Sequence, residues 1–248
     1  MSAPSTVLIT GCSSGFGLDI ARHFLEKGWR VIATMRTPQK DLLPESDALR
    51  ILALDVTDAE SIRRCFEEAG PIDALVNNAG IGLLGPLEEE KIDTVRQIFE
   101  TNTFGTIAMT QAVVPQFRAR RSGVIVNVTS SVTLKSLPLL SVYTGSKAAV
   151  NAFTESLALE LAPFDIRMHL VLPGRAPGTS FGTNARKLMA EKIPEAYQDF
   201  AQSVFSAIQD TSTPVTYSED VAEAVWTAVT KTDSPMRIPA GADAMALS

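Results

Sequence analysis

Tyr143 and Lys147 are the residues whose types and spacing predict acid–base chemistry. They lie four positions apart within residues 141–150, so on a helix they share one face. Ser130 precedes Tyr143 by thirteen residues and follows an apolar run that is typical of a buried strand. A phenol has an ordinary pKa of about 10, too high for easy proton transfer at neutral pH, and a nearby cation lowers it. These three side chains could form a general acid/base with a hydroxyl that holds a substrate oxygen. Taken alone, the Tyr–Lys pair is more typical of a helix surface, so the prediction depends on the accompanying motifs.

A glycine-rich loop supplies a second kind of chemistry. It reads Thr10-Gly11-Cys12-Ser13-Ser14-Gly15-Phe16-Gly17 and lies between an expected strand and an expected helix. In dinucleotide-binding loops the first glycine permits a tight turn, the second lets backbone approach a pyrophosphate, and the third lets the helix pack closely. Helix N-terminal N–H groups then face the phosphates. The alternative is a turn without a ligand, but the position between strand and helix favours the nucleotide loop.

The end of the second expected strand indicates which dinucleotide binds. An NAD site places a carboxylate there for the ribose hydroxyls, whereas an NADP site avoids that charge and supplies a cation for the 2′-phosphate. Met35 occupies the position of the acid, and Arg36 follows it with a planar fork of donors. Ser13 and Ser14 could add uncharged donors. We therefore predict NADP(H), with a merely solvated Arg36 as the alternative.

Five motifs occur in order along the chain: the Thr10–Gly17 loop, Asn77-Asn78-Ala79-Gly80, Ser130, Tyr143 with Lys147, and Pro173-Gly174. This set resembles the short-chain dehydrogenase/reductase family, from about Thr6 to Gly174. Residues 6–15 and 82–88 are also similar to the branch that holds the 17β-hydroxysteroid and retinol dehydrogenases. The resemblance implies an oxidoreductase that acts on a carbonyl or a secondary alcohol.

The resemblance also implies individual roles. Tyr143 would be the acid/base, Lys147 would lower its pKa and bind the nicotinamide ribose, and Ser130 would hold the substrate oxygen. Asn102 would help to hold a water in a proton relay behind the lysine, although a polar residue in a long helix can serve only local contacts. The family's threonine after Pro-Gly is displaced here, because Arg175 and a second Pro-Gly precede Thr179. The expected cofactor-binding residues are Gly11, Ser13, Ser14, Gly15, Phe16, Gly17, Arg36, Asp55, Val56, Asn78, Ala79, Gly80, Tyr143, Lys147, Pro173, Gly174 and Thr179.

The elements that must position these residues alternate along the chain. Expected strands cover residues 7–9, 30–35, 49–56, 72–76, 124–128 and 166–172, with an extended piece at 237–238. Expected helices cover residues 15–28, 58–69, 91–120, 141–162 and 218–231. The alternation predicts an α/β fold, a doubly wound Rossmann-type mainly parallel sheet with helices on both faces. We expect one domain over residues 1–248. Residues 174–216, which we call the lid, form a Gly- and Pro-containing insertion expected to cover the substrate.

The bulk composition excludes several classes of function. The net charge of -6 argues against nucleic-acid binding. Two cysteines without a C-x-x-C pattern and two histidines far apart argue against a disulfide scaffold or a metal site. No apolar run approaches the roughly 20 residues needed to span a bilayer, and the first residues do not resemble a targeting segment. We therefore expect a cytoplasmic protein.

Apolar residues near the expected site predict an apolar carbonyl or alcohol substrate under the lid, although several could simply pack the lid onto the sheet. They are Leu83, Leu84, Leu87, Val132, Leu134, Leu137, Phe181, Leu188, Met189, Phe200 and Phe205. Family resemblance makes the helical regions 91–120 and 141–162 the expected contacts of a homodimer or homotetramer, although they could be buried against their own sheet. Two other functions remain open: a non-catalytic NADP(H)-binding sensor, and a dehydratase or epimerase on the same fold.

Overall fold

The computed structural model describes residues 4–179, 181–189 and 193–247. Within them, seven parallel strands form one sheet in the order β3-β2-β1-β4-β5-β6-β7. The strands are β1 (Thr6–Ile9), β2 (Arg30–Met35), β3 (Leu49–Ala53), β4 (Ala74–Asn77), β5 (Gly123–Val128), β6 (Ile166–Pro173) and β7 (Arg237–Ala240). The helices are α1 (Gly15–Glu26), α2 (Ala59–Ala69), α3 (Ile92–Phe99), α4 (Gly105–Arg120), α5 (Ser141–Leu161), α6 (Phe181–Leu188), α7 (Gln198–Gln209), α8 (Ser218–Thr230) and α9 (Ala242–Met245).

Helices cover both faces of the sheet. On one face, α1 and α8 bury side chains such as Phe24 and Val225 against Ile9 of β1. On the other face, α2, α4 and α5 bury side chains such as Met109 against Leu8 of the same strand. Successive residues of a strand thus enter opposite cores, so the buried strands read as continuous apolar runs. The predicted doubly wound α/β fold is confirmed.

The direction of winding reverses between β1 and β4. From β1 the sheet extends through β2 to β3 on one side, and from β4 it extends through β5 and β6 to β7 on the other. In open α/β sheets, the carboxyl ends of the strands at such a reversal border the crevice that binds ligands. The glycine-rich loop follows β1 and residues 77–80 end β4, so both motifs lie at this reversal.

The predicted helical region 91–120 has an internal irregularity. A π-helical turn over Glu100–Phe104 joins α3 to α4, and Asn102 lies within it. The wider turn rotates the following helix relative to a regular one, and such turns are frequent at functional sites. The spacing of polar and apolar residues did not predict this turn, because one extra residue in a long helix hardly changes the spacing of its apolar residues.

The remaining boundaries differ from the predicted ones by a few residues. β3 ends at Ala53 rather than at residue 56, and α1 ends at Glu26. In the lid, α6 and α7 are the helical segments, while residues 180 and 190–192 lie outside the described part of the chain. Throughout the described ranges, every helix is too short or too polar to cross a membrane.

Candidate active site

A cleft of about 1190 Å³ opens at the carboxyl ends of the strands, between the sheet and the lid. It is lined by most of the glycine-rich loop, by Arg36, Asp55 and residues 78–80, and by most of the segment from Pro173 to Thr179. Ser130, Tyr143 and Lys147 also line it. Of the predicted site residues, Gly17 and Asn102 do not line the cleft and are buried behind it. The structure therefore places the glycine-rich loop and the predicted acid–base residues in one cleft.

The glycine-rich loop has the geometry of a backbone cradle. Gly11 and Gly15 have φ values of 75° and 58°, which side chains rarely adopt. A Cβ on Gly17 would lie 2.3 Å from the carbonyl oxygen of Gly11, so α1 can approach the turn only with glycine there. The loop ends at the N-terminus of α1, whose unpaired N–H groups favour an anion. These features fit the pyrophosphate of a dinucleotide.

The end of β4 holds the loop in place. The Thr10 hydroxyl accepts hydrogen bonds from the backbone N–H groups of Asn78 and Ala79, each at 2.9 Å. The Asn78 amide donates to the carbonyl oxygens of Thr10 and Gly11 at 2.9 and 3.3 Å. The two motifs, 68 residues apart in the chain, are thus joined directly at the reversal of the sheet.

Ser130 and Tyr143 form the polar centre of the cleft. Ser130 follows the end of β5 and begins a tight turn in which its hydroxyl accepts from the N–H of Val132 at 3.3 Å. Tyr143 lies in the first turn of α5 with only 6% of its surface exposed. Burial raises the pKa of the Tyr143 phenol above its ordinary value, and a hydrogen bond with the Ser130 side chain opposes that rise. A hydroxyl and a phenol thus face the same point, where both could bind one substrate oxygen.

Lys147 lies one turn along α5 from Tyr143. Its Nζ atom donates to the carbonyl oxygen of Val128 at 3.0 Å and lies 5.9 Å from the centre of the Tyr143 ring. Burial lowers the pKa of Lys147 to about 8, because the charged ammonium loses solvation. We expected the lysine to lower the pKa of the phenol. In this structure burial outweighs any such effect, and the Tyr143 pKa is raised instead.

Asn102 connects the cofactor side of the cleft to α5. Its side chain accepts from the Ile81 N–H at 2.8 Å and donates to the Ile81 carbonyl at 2.9 Å. It also donates to the Ser146 hydroxyl at 3.0 Å, and that hydroxyl donates to the Tyr143 carbonyl at 2.7 Å. A Cβ on Gly80 would lie 3.2 Å from Asn102 Oδ1 and 3.3 Å from Lys147 Nζ, so little space separates the three residues. Asn102 therefore makes long-range contacts and is not confined to its own helix.

Arg36 and Asp55 line the end of the cleft next to β2 and β3. Arg36 and Met35 both line the cleft, but Arg36 is exposed, whereas Met35 is 2% exposed and packs into the core. The Asp55 carboxylate accepts from the N–H and the hydroxyl of Thr57 at 2.9 and 2.7 Å. These bonds lower the Asp55 pKa, and the charge of Arg36 adds a smaller contribution. Thr57 was not predicted as a site residue.

Two further residues that the sequence did not identify, Thr216 and Asp243, fix the segment after β6. The backbone N–H of Arg175 donates to the Asp243 carboxylate at 2.6 Å, and the N–H of Gly174 donates to the Thr216 hydroxyl at 2.9 Å. The Thr216 hydroxyl in turn donates to Asp243 at 2.7 Å. Arg175 and Asp243 are 68 residues apart, so no local pattern could have paired them.

Thr179 lies over the glycine-rich loop, where a Cβ on Gly15 would be 3.7 Å from it. Its hydroxyl donates to the carbonyl oxygen of Ala176 at 2.9 Å, which closes the tight turn that the additional Pro-Gly creates. The displaced threonine therefore remains at the cleft, beside the glycine-rich loop.

The lid lines the cleft with an apolar group of side chains and with polar ones. The apolar group includes Phe181, Leu188 and Phe205, and the polar lining includes Asn184, Arg186, Lys187 and Gln209. The Phe181 ring lies 5.5 Å from the Tyr143 ring, and a Cβ on Gly82 would lie 2.7 Å from Phe181. Leu87, Leu134, Met189 and Phe200, which we expected here, do not line the cleft, and Leu87 and Phe200 are exposed. The predicted apolar residues that do line it are Leu83, Leu84, Val132, Leu137, Phe181, Leu188 and Phe205.

Comparison with known proteins gives consistent matches. A family model described as short chain dehydrogenase matches residues 5–189. Human retinol dehydrogenase 8 is 37% identical in an alignment of 252 positions that covers 95% of this chain and 81% of the human protein. The bovine protein of the same name is 42% identical over 184 residues, covering 69% of this chain and 59% of the bovine protein. Rat estradiol 17-beta-dehydrogenase 1 is 40% identical over 182 residues, covering 67% of this chain and 53% of the rat protein.

Solved structures are similar over nearly the whole chain. A short-chain dehydrogenase from Streptomyces avermitilis has a TM-score of 0.85 and 31% identity, covering 100% of this chain and 91% of its own. A serine dehydrogenase complexed with NADP+ has a TM-score of 0.81 and 29% identity, covering 95% of this chain and 94% of its own. A 3-ketoacyl-(acyl-carrier-protein) reductase from Brucella melitensis complexed with NADH has a TM-score of 0.77, covering 95% of this chain and 96% of its own. At 24% identity it supports the fold alone.

Proposed function

This chain belongs to the short-chain dehydrogenase/reductase family, in the branch of the retinol and 17β-hydroxysteroid dehydrogenases, and on that premise we propose that it transfers a hydride between NADP(H) and an apolar carbonyl or secondary alcohol. The observation that carries the proposal is the single cleft that the glycine-rich loop shares with Ser130, Tyr143 and Lys147. The similar serine dehydrogenase is complexed with NADP+, which supports a nicotinamide cofactor for this chain.

When bound, the cofactor supplies or accepts the hydride, and the residues of the chain handle the substrate oxygen and its proton. In reduction, Ser130 and Tyr143 hydrogen-bond the carbonyl oxygen, and Tyr143 gives its phenol proton to that oxygen as the alcohol forms. The phenolate that remains is stabilised by the Lys147 cation and regains a proton before the next turnover. In oxidation the same groups act in reverse. We propose that Asn102 keeps Ile81 and α5 in register behind these groups and contributes to a relay that reprotonates them.

Arg36 supports the choice of NADP(H), because its guanidinium is available at the adenosine end of the cleft. Arg36→Ala should weaken NADPH binding about ten-fold, because it removes one solvent-screened, charge-assisted hydrogen bond to the 2′-phosphate. It should leave NADH binding unchanged, because NADH has no such phosphate. Fluorescence titration of both cofactors measures this, with the exposed Arg64→Ala on α2 as a matched control. Met35→Asp is a poorer test, because it would place a carboxylate in the core. Equal or tighter binding of NADH by the unmodified protein would exclude the NADP(H) preference.

The apolar part of the cleft lining supports a bulky apolar substrate. Phe181 and Phe205 of the lid line the same cleft as Leu83, Leu84 and Val132. Burying such surfaces against an apolar substrate contributes roughly 25 cal/mol per Å², a gain that a small polar sugar cannot supply. We therefore expect kcat/KM to be much higher for bulky apolar ketones than for small sugars, and the reverse order would contradict the assignment.

We also propose that the protein acts as a homodimer or homotetramer through α4 and α5. Ala148 and Ala152 are exposed on α5, and Phe104 is exposed at the start of α4. Leu161 is buried, however, and Leu157 and Ala158 pack against the protein's own core, so only part of the predicted apolar surface is available to a partner. Light scattering that gives a monomer mass at micromolar concentration would refute the assembly.

The reaction class is tested by incubating the protein with NADPH and a panel of carbonyl compounds while nicotinamide absorbance is followed. An oxidoreductase consumes NADPH in proportion to the carbonyl reduced. A cofactor sensor binds NADPH without consuming it, and a dehydratase or epimerase converts its substrate with no net loss of absorbance. Cofactor binding without any turnover on a broad panel of apolar carbonyls would contradict the proposed function.

We also propose a cytoplasmic location, because a sequence with two cysteines and no C-x-x-C pattern fits a reducing compartment.

A further inference from the structure

The Arg175 side chain is directed into the backbone of the lid. Its Nη1 atom donates to the carbonyl oxygens of Ala207, Ile208 and Asp210 at 2.8, 3.1 and 2.6 Å. Its Nη2 atom donates to the Thr213 hydroxyl at 2.6 Å and to the Pro214 carbonyl at 3.2 Å. One side chain at the end of β6 thus contacts residues across the C-terminal end of α7 and the loop that follows.

This arrangement satisfies groups that a helix cannot satisfy by itself. The last carbonyl groups of α7 have no partner within the helix, and they carry the negative end of its dipole. A planar guanidinium can bind several such oxygens at once and complements their charge. Arg175 therefore fixes the C-terminal end of α7 to the end of β6.

The backbone of Arg175 is held separately from its side chain. Its N–H donates to the Asp243 carboxylate at 2.6 Å, and its carbonyl accepts from the N–H of Thr216 at 2.7 Å. A substitution that removes the guanidinium keeps both of these backbone bonds. The adjoining Pro173 and Gly174, which line the cleft, should therefore keep their positions when the Arg175 side chain is lost.

We propose that Arg175 is a positioning residue that holds α7 over the cleft and so sets the affinity for substrate. The helix carries Phe205 and Ile208, which line the apolar side of the cleft. Because the Nη atoms are occupied by lid oxygens, Arg175 does not serve as a charge for an anionic substrate or for the cofactor phosphates. The proposal rests on the proposed function for its kinetic consequence, but its structural part can be measured without any substrate.

The chain offers a matched control in Arg167. Its guanidinium caps the C-terminal end of α8 in the same way, with bonds to the carbonyls of Ala228 at 2.9 Å, Val229 at 2.7 Å and Lys231 at 2.9 Å. Helix α8 packs on the sheet with α1, and Arg167 does not line the cleft. Loss of Arg167 therefore removes an equivalent cap at a place remote from the site.

The first measurement is limited trypsin digestion of the full-length, cofactor-free protein. Arg186 and Lys187 of α6 are tryptic sites in the lid, and mass spectrometry identifies cleavage there. In Arg175→Ala, lid cleavage should accelerate about ten-fold or more, since local opening loses at least one net charge-assisted hydrogen bond. Arg175→Lys keeps the charge but not the planar fork, so it should give an intermediate rate. Arg167→Ala should lower the midpoint of thermal unfolding and leave lid cleavage unchanged.

The second measurement is steady-state kinetics with the best apolar carbonyl substrate. In Arg175→Ala, KM should rise about ten-fold, with kcat and the cofactor Kd nearly unchanged, because the catalytic groups stay in place. In Arg167→Ala, KM should not change. The positioning role would be overturned if the lid of Arg175→Ala were cleaved at the wild-type rate. It would also be overturned if Arg175→Ala and Arg167→Ala changed the cleavage rate and KM equally. If no carbonyl is turned over by the unmodified protein, the proposed function fails, whereas the digestion result still decides whether Arg175 holds the lid.

Discussion

Replacing Lys147 by Met should stabilise the folded protein at neutral pH while it removes activity. Burial lowers the pKa of this lysine from 10.5 to about 8. A lowering of that size corresponds to roughly 3 kcal/mol of unfavourable free energy for the charged side chain in the folded state. Met has a similar length and no charge, so it avoids this cost. It also removes the hydrogen bond to the Val128 carbonyl, which costs about 1–2 kcal/mol.

The net gain at pH 7 is therefore about 1–2 kcal/mol, or a rise of about 2–8 °C in the midpoint of thermal unfolding for a chain of this size. The sign depends on pH. A lysine with a lowered folded pKa binds fewer protons in the folded state than in the unfolded state, so the stability of the unmodified protein rises from about pH 8 to about pH 10.4. The advantage of Met should shrink over that interval and reverse above it, where only the lost hydrogen bond remains.

The assay is thermal unfolding of the cofactor-free protein at about pH 7 and about pH 10, with the exposed Lys135→Met as the control. Lys135→Met should show neither a gain nor a pH-dependent difference. A Lys147→Met protein whose stability differs from wild type by the same amount at both pH values would refute the reasoning, because buried charge would then contribute nothing. Such a result would also remove the physical basis for a lysine that is poised between its charged and neutral forms.

Two further predictions follow from buried contacts. Gly17→Ala should weaken binding of either cofactor and destabilise the fold by about 1–3 kcal/mol, because the added Cβ would lie 2.3 Å from the Gly11 carbonyl. Cofactor titration and denaturant unfolding measure both effects against Gly182→Ala, where an added Cβ meets nothing within 4 Å, and equal behaviour of the two variants would refute the close packing. Burial lowers the pKa of His169 in the folded protein, so on acidification the imidazole is protonated in the unfolded chain before it is protonated in the folded one. The free energy of unfolding should therefore fall as the pH drops below about 6.5. His169→Gln should flatten this acid loss in thermal unfolding, and an unchanged slope would rule out His169 as its source.

The fold was predictable because two strong regularities coincide in this chain. Continuous apolar runs such as Val7-Leu8-Ile9 mark strands that are buried on both faces, and their alternation with amphipathic segments requires a parallel sheet. The motifs of the site were predictable because they occur at the ends of these strands, where a parallel sheet brings distant residues together. Gly11 and Gly174 lie at opposite ends of the motif series and nevertheless line the same cleft.

The rest depends on contacts that have no local pattern. The bonds from Arg175 to Asp243 and to the end of α7 join segments that only the folded chain brings together. The π-helical turn that holds Asn102 leaves the helical period almost unchanged. The direction of the Tyr143 pKa could not be inferred from its neighbours in the sequence, because desolvation depends on how deeply the phenol is buried. Residue type alone could not distinguish the two phenylalanines of α7. Phe205 lines the cleft, whereas Phe200, five residues earlier, is exposed.

Proton transfer by Tyr143 is tested most directly by comparing Tyr143→Phe with the unmodified protein in turnover and in cofactor binding. Tyr217→Phe, which alters an exposed phenol outside the cleft, is the control. With the best carbonyl substrate and saturating NADPH, kcat of Tyr143→Phe should fall by about 10²–10⁴-fold, the usual contribution of a general acid. The Kd for NADPH should stay within about two-fold of wild type, because the glycine-rich loop is untouched. A Tyr143→Phe protein that turns over substrate at close to the wild-type rate, with its cofactor bound normally, would contradict the proposed mechanism.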